Sequence, residues 1–310
     1  MWCSYKFRIV RIMSQYLGQH FLKNTSAIKK IVAVLDIQQR ETIIEIGPGK
    51  GALTFPLAEE CAQKKCRLIA IEKDHSLAQD LESKIMLSSY SLCHSKLDLE
   101  SRNLDPRVKP EDDNYIQIIT GDALKELPEL VSKLKIVNYK LVGNIPYYIT
   151  GKLLRTISEL KNKPPHLLYR CGGKPKLSVL MVQKEVAERI CATPPKMNLL
   201  AAATQYWTNP KIILNLKAKE FDPPPEVDSA VIKLKSKIQN LEPKIAKKYY
   251  KLIHVIFKQP RKTLLNNLKE GTHVPKEELE TMIKSLDLPL NCRPQNLTIE
   301  KILKLTKLIN

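Results

Sequence analysis

The feature that most constrains the fold of this chain is an alternation of short apolar runs with helical patterns, where the runs stop at a glycine or an acid. Thr42-Ile43-Ile44-Glu45-Ile46 reads as a strand and stops at Gly47-Pro48-Gly49-Lys50-Gly51. Residues 52–63 then look helical. Leu68-Ile69-Ala70-Ile71 is a second buried strand, ending at Glu72, with a helix from about Ser76. Tyr115-Ile116-Gln117-Ile118-Ile119 is a third, ending at Gly121-Asp122-Ala123, and Val137 to Val142 is a fourth. Ahead of them, Thr25 to Gln39 places apolar side chains at 27, 28, 31, 32, 34 and 35, as a helix does. No hairpin signal intervenes. The expected class is therefore α/β, a Rossmann-like, doubly wound parallel sheet. Ligands of such sheets bind beyond the carboxyl ends of the strands, where all the candidate motifs below fall.

Between Leu87 and Asn114 the pattern lapses into Ser, Asp, Pro, Lys and Arg, broken by Asp105-Pro106 and Lys109-Pro110. This reads as a surface insertion at about 88–114. Lys163 to Pro175 reads as a second loop. Strands resume at Leu177–Val182, near Asn209–Leu214 and at Ser229–Leu234, and Phe221 to Asp228 must be extended because of its prolines. After Ser236 only helical patterning remains, around 243–258, 260–269, 275–286 and 298–308. These readings put an α/β domain over 1–238 and a smaller, all-helical domain over 239–310.

The charge is lopsided. The 310 residues carry 51 Lys and Arg against 32 Asp and Glu, a net +19. Such an excess calls for a polyanionic partner, most simply nucleic acid. It is concentrated over 233–270, with eleven basic and two acidic residues. Lys247, Lys248, Lys251, Lys258, Arg261 and Lys262 are the candidate RNA-binding residues, with Tyr249, Tyr250 and His254 interleaved. Lys6, Arg8 and Arg11 precede the first acid, Asp36, and read as a basic arm lying on RNA, with an organelle presequence as the alternative. Seven cysteines without a Cys-x-x-Cys pattern suggest reduced thiols, no zinc site and a cytoplasmic protein. No apolar run approaches membrane-spanning length, so no membrane partner is expected.

Two constellations carry chemistry. Asn144-Ile145-Pro146-Tyr147 follows the fourth strand. An adenine amine is a poor nucleophile because its lone pair is spread into the ring. The Asn144 side-chain oxygen and a turn carbonyl can accept its two N–H bonds and leave the lone pair free. Pro146 has no N–H and a fixed φ, which aims that carbonyl. Tyr147 can stack on the base, as enzymes acting on extruded bases arrange. At the first strand's end, Gly47-Pro48-Gly49-Lys50-Gly51-Ala52 fits the dinucleotide fingerprint, and Glu72 stands where a ribose-binding acid belongs. Gly47 and Gly49 allow close backbone approach to a ligand. These residues suit S-adenosylmethionine and NAD alike, although no group is placed for hydride chemistry. Asp122 can accept from an adenine amine of the cofactor or cap a helix.

Together these segments resemble the ribosomal RNA adenine N6,N6-dimethyltransferase family over nearly the whole chain. The match comprises Leu17-Gly18-Gln19-His20-Phe21-Leu22, Ile44 to Thr54, Ile71-Glu72-Lys73-Asp74, Gly121-Asp122-Ala123, Gly143 to Tyr147, Val182 to Arg189, Phe221 to Ala230, Arg261-Lys262-Thr263-Leu264 and Arg293 to Leu297. The resemblance implies S-adenosylmethionine as cofactor and a pair of adjacent adenosines near the 3′ end of 16S, small-subunit rRNA as substrate. Each would receive two methyl groups late in subunit assembly. It implies that His20, Leu22, Gly47, Glu72, Asp122 and Asn144 line the cofactor site. His20 stands where many relatives have Asn, and Pro195 to Leu200 replaces a longer segment of bacterial members.

The expected reaction is direct in-line methyl transfer by a monomer, without metal or covalent intermediate. Its rivals are a large-subunit rRNA adenine methyltransferase of the macrolide-resistance type and a non-catalytic rRNA-binding assembly factor. The triple-proline segment and the Arg261-Lys262 and Arg293 signatures argue for the small subunit. The intact catalytic turn argues against the non-catalytic factor.

Overall fold

The computed structural model describes residues 19–88, 116–133, 139–160, 173–237 and 243–309. The basic arm, nearly all of the 88–114 insertion, Leu17-Gly18, Tyr115 and most of the 163–175 loop lie outside them. Cα packing divides the chain into two compact units. The first takes the chain up to Lys184 together with Lys211–Ser236, and the second takes Glu185–Pro210 with the chain from Lys237 onward.

In the first unit, strands and helices alternate as β1 (Phe21–Leu22), α1 (Thr25–Leu35), β2 (Thr42–Ile46), α2 (Thr54–Lys64), β3 (Arg67–Glu72), α3 (His75–Met86), β4 (Ile116–Thr120), α4 (Ala123–Lys133), β5 (Tyr139–Asn144), α5 (Thr150–Glu159) and β6 (Leu177–Gln183). A further long strand, β7 (Thr208–Leu216, from its fourth residue), a two-residue strand, β8 (Phe221–Asp222), and β9 (Ser229–Ser236) complete it. Seven strands form one sheet in the order β4-β3-β2-β5-β6-β9-β7. β2 to β6 pair in parallel, and β9 runs antiparallel to β6. A dinucleotide-binding sheet ends 4-5-6 in chain order. Here the last strand, β9, lies between β6 and β7 and runs antiparallel to β6.

The parallel strands are nearly continuous apolar runs because both faces are covered. Ile43, Leu68 and Val142 are fully buried in one cluster with Leu35, Leu57, Leu81 and Ile85 of the flanking helices, and Ile44, Ile69 and Leu141 are fully buried as well. Side chains stop these helices' backbones from fraying. Asn24 accepts from Ala27 N–H at the start of α1, and Asp74 accepts from Ser76 and Leu77 N–H at the start of α3.

One charge enters this core. Lys140, in the middle of the apolar run of β5, is 3% exposed. Its ammonium pairs with Glu41 at 2.6 Å and donates to the Asp36 carbonyl. The pair anchors the amino-terminal end of β5, away from the candidate site.

The second unit holds α6 (Lys184–Ile190, from its second residue), α7 (Leu199–Gln205), α8 (Pro243–Ile256), α9 (Leu264–Gly271), α10 (Lys276–Ser285) and α11 (Ile299–Leu308). Tyr249 of α8 is fully buried, stacks on Tyr206 with ring centroids 4.3 Å apart and donates to the Ala202 carbonyl of α7 at 3.0 Å. Tyr250 meets both rings edge-on. Of the rings singled out beside the basic residues, Tyr249 is therefore core and Tyr250 half-buried against it, whereas His254 is exposed. Among the described residues no helix is long and apolar enough to cross a membrane.

Removing Glu41 would leave the Lys140 ammonium buried and unpaired. Glu41→Ala is expected to cost about 3 kcal/mol or more in denaturant unfolding. Lys140→Met, which removes the charge along with its partner's need for it, should cost less.

Candidate active site

The topology brings four loop ends to one edge of the sheet. Ile46 is in register with Ile71 and with Gly143, and Glu72 with Thr120. The chain beyond these positions is the glycine loop, Glu72 to Asp74, Gly121-Asp122 and Asn144 to Tyr147. The edge lies where β2 and β5 are neighbours although β3 and β4 extend the sheet in the other direction. This is the topological switch point, where ligands of such sheets bind. Gly143 makes the neighbourhood possible: a Cβ there would lie 2.4 Å from the Ile46 carbonyl oxygen.

Glu72 is 4% exposed, and both its oxygens are engaged. Oε2 accepts from Gly49 N–H and Oε1 from Asp74 N–H, each at 2.9 Å. Burial pushes its pKa up, and these two N–H bonds oppose the rise. The acid thus braces the glycine loop. Gly49 sits at φ +54°, and a Cβ there would be 2.6 Å from the Phe21 ring. Phe21, which the sequence reading did not single out, therefore covers the loop and also carries the Lys50 ammonium 4.6 Å from its centroid. Leu22 points into the core instead, at 5% exposure.

Asp122 fulfils the cap reading: its Oδ1 accepts from Leu124 N–H at 3.0 Å, at the start of α4. Its other oxygen stands 3.5 Å from Lys73. The side chain is one-third exposed, so it can also meet a ligand.

Glu45 was read only as part of a strand. It is 1% exposed, and its Oε2 has no hydrogen-bond partner. Burial pushes its pKa up to about 8; the Thr54 hydroxyl offsets part of that, and the Glu72 charge adds to it. The signal was present in Thr42-Ile43-Ile44-Glu45-Ile46, where a lone acid interrupts a buried run. Buried acids are rare unless they meet a partner.

The Asn144–Tyr147 turn is tied at several points. Asn144 closes β5, and its side-chain NH2 donates to the His20 carbonyl at 2.5 Å, which leaves Oδ1 as the side chain's acceptor. The His20 ring bonds the Pro223 carbonyl through Nδ1 at 2.8 Å and stacks against Tyr147 with centroids 5.9 Å apart. The Tyr147 hydroxyl bonds Ser229 Oγ at 2.8 Å. Pro146, at φ −53°, presents its carbonyl to Ile149 N–H at 3.0 Å. β1 pairs with β8, Phe21 opposite Asp222, so His20 and Pro223 meet at the ends of one small antiparallel ladder.

His20, Gly47, Gly49, Glu72, Asp122, Asn144, Pro146 and Tyr147 all belong to this unit. The candidate RNA-binding residues belong to the other. Lys247, Lys251, Lys258 and Arg261 are exposed, Lys248 is half-buried, and Lys262 pairs with Glu270 at 2.5 Å. Among the described residues no group of three or more His, Cys, Asp or Glu could hold a metal ion.

Because the folded state keeps Glu45 protonated to about pH 8, it is more favourable relative to the unfolded chain at low pH. That contribution is complete below the unfolded carboxyl's 4.5 and is lost as pH rises to about 8. Glu45→Gln should remove this slope, so its stability relative to the parent should grow between pH 5 and 8 in denaturant titrations.

Known proteins agree with this geometry. The family described as ribosomal RNA adenine dimethylase matches residues 12–310. The chain is 33% identical to ribosomal RNA small subunit methyltransferase A of Dehalococcoides mccartyi strain CBDB1, over 93% of this chain and 86% of that protein. It is 33% identical to the protein of the same name from Mycoplasma capricolum, over 95% of this chain and 97% of that one. The crystal structure of a dimethyladenosine transferase from Plasmodium falciparum has a TM-score of 0.65 at 23% identity, covering 92% of this chain and 96% of that one. That of the 23S rRNA methyltransferase ErmE has 0.65 at 18%, covering 93% and 99%. At such identities these two structures speak for the fold alone. A family match spanning nearly every residue, on a chain whose glycine loop is braced by a buried acid, leads to one conclusion: this chain belongs to the ribosomal RNA adenine dimethylase family.

Proposed function

We propose that this protein dimethylates the N6 amines of two adjacent adenosines near the 3′ end of small-subunit rRNA, with S-adenosylmethionine as donor. The carrying observation is Asn144 at the carboxyl end of β5: its NH2 is spent on the His20 carbonyl, which leaves its oxygen as the acceptor. Relatives named small subunit methyltransferase A support the small subunit over the large.

The donor, when bound, supplies an electrophilic methyl on a sulfonium, so the protein need supply no metal. Glu72 braces the loop that would receive it, Gly47 and Gly49 let the backbone approach it, and Asp122 stands at the adenine end. His20 and Phe21 close over the same loop. Asn144 Oδ1 holds one hydrogen of the target amine. The Pro146 carbonyl already accepts from Ile149 N–H, so the second acceptor is assigned to the Ile145 carbonyl. With both N–H bonds fixed in the plane of the base, the nitrogen lone pair is directed out of it, in line with the methyl. The rate gain comes from this positioning and from acceptors that strengthen as the nitrogen becomes positive. Tyr147, fixed by Ser229, supports the face of the base. The protein works as a cytoplasmic monomer. Its helical domain holds the RNA by phosphates, through Lys247, Lys248, Lys251, Lys258 and Arg261. Lys262, neutralised by Glu270, contributes least.

Incubation with labelled donor and under-methylated small subunits, followed by mass spectrometry of nucleosides, should yield N6,N6-dimethyladenosine. Absence of any methylated adenosine would overturn the reading. Asn144→Ala should fold normally and lose at least about 10²-fold in turnover. Near-normal turnover would remove Asn144 from the mechanism.

Exchange of Lys247, Lys248, Lys251 and Lys258 for Gln should weaken subunit binding and flatten its dependence on salt, because fewer counterions are released. Cofactor affinity, measured by calorimetry, should not change. Unaltered affinity and slope would mean that these lysines only solvate α8.

A further inference from the structure

We propose that Tyr148 is a binding platform for the nucleobase next to the target, the base that loses its stacking neighbour when an adenine is drawn into the Asn144–Tyr147 turn. The inference rests on the reading of that turn as adenine-binding. Tyr147 and Tyr148 occupy one short 3₁₀ turn, Tyr147–Ile149. Successive residues of such a turn point about 120° apart. Tyr147 is turned inward and bonded to Ser229, which leaves Tyr148 directed to solvent at 58% exposure. The turn is pinned at both ends: Ile149 N–H donates to the Pro146 carbonyl and Thr150 N–H to the Tyr147 carbonyl. An exposed aromatic on a pinned turn offers its face without the entropy of ordering a loop.

A lone exposed apolar side chain needs no explanation. Its position here does. Of the exposed large apolar residues among those described, Met86 and Leu87 lie at the end of α3 and Leu308 at the end of α11. The remaining two, Tyr148 and Val227, lie within two residues of Tyr147 and Ser229, the two ends of one hydrogen bond. Apolar surface is thus left beside the place where a base would enter. A base removed from a strand unstacks its neighbour, and aromatic side chains replace such a stack in a sequence-tolerant way. The ligand class is therefore the π-face of a nucleotide flanking the target in single-stranded RNA. The phenol hydroxyl has no part in it.

The test compares the parent protein with Tyr148→Ala and Tyr148→Phe. On under-methylated small subunits, Tyr148→Ala should raise KM about tenfold, while kcat and donor affinity stay unchanged. Tyr148→Phe should restore the parent KM. An unchanged KM in Tyr148→Ala, or a Phe variant as weak as the Ala variant, overturns the proposal. A second arm uses a short single-stranded RNA with 2-aminopurine beside the target adenosine. Its fluorescence should be quenched by the parent and the Phe variant and not by the Ala variant; equal quenching by the Ala variant overturns the proposal. If the parent protein methylates no adenosine, the reading of the turn itself fails. The fluorescence arm then still decides the role of Tyr148.

Discussion

At the centre of the sheet β2 and β5 lie side by side, and a Cβ at Gly143 would collide with the Ile46 carbonyl. Everything functional depends on that approach. Each parallel strand on one side of β2 is reached by a helix that crosses in one direction, and the return to β5 crosses in the other. The helices therefore diverge at the carboxyl edge of these two strands and leave it uncovered. The glycine loop follows one strand and the Asn144 turn the other, so strand pairing alone delivers the two loops to adjacent positions.

Residues at this edge hold one another in place. Glu72 fastens Gly49 and Asp74 by their N–H groups, so the loop is shaped before anything binds. Asp122 caps a helix with one oxygen and pairs with Lys73 through the other. Asn144 is oriented by a backbone carbonyl 124 positions earlier in the chain. Preorganisation of this kind reduces the ordering cost at the moment of reaction. Its cost is visible in Glu45, a buried carboxyl with an unpartnered oxygen, held protonated well above its ordinary range.

The basic region separates into two kinds of residue when its packing is taken into account. The tyrosines of α8 stack with Tyr206 in the interior, whereas most of the lysines around them are exposed. An amphipathic helix produces this division, because residues one or two apart fall on different faces. The lysines can neutralise phosphates. The rings stabilise the helical unit and are not available to bases.

Much of this was legible from residue order. The alternation of apolar runs and helical patterns determines a parallel α/β sheet, because buried strands without hairpin turns must be joined by crossing helices. The residues at strand ends, Gly47, Gly49, Glu72, Asp122 and Asn144, mark the ligand edge for the same reason, and their family pattern identifies the chemistry. Strand ends shifted by a residue or two, as where Asn144 proved to be the last residue of β5. Register depends on partners that local patterning does not contain. Tertiary structure alone decided that Phe21 rather than Leu22 covers the glycine loop, that Glu45 is buried without a full set of partners, that Tyr249 is core, and that Tyr148 faces outward beside Tyr147. Each of these depends on which distant segment packs against a residue, and periodicity along the chain carries no information about that.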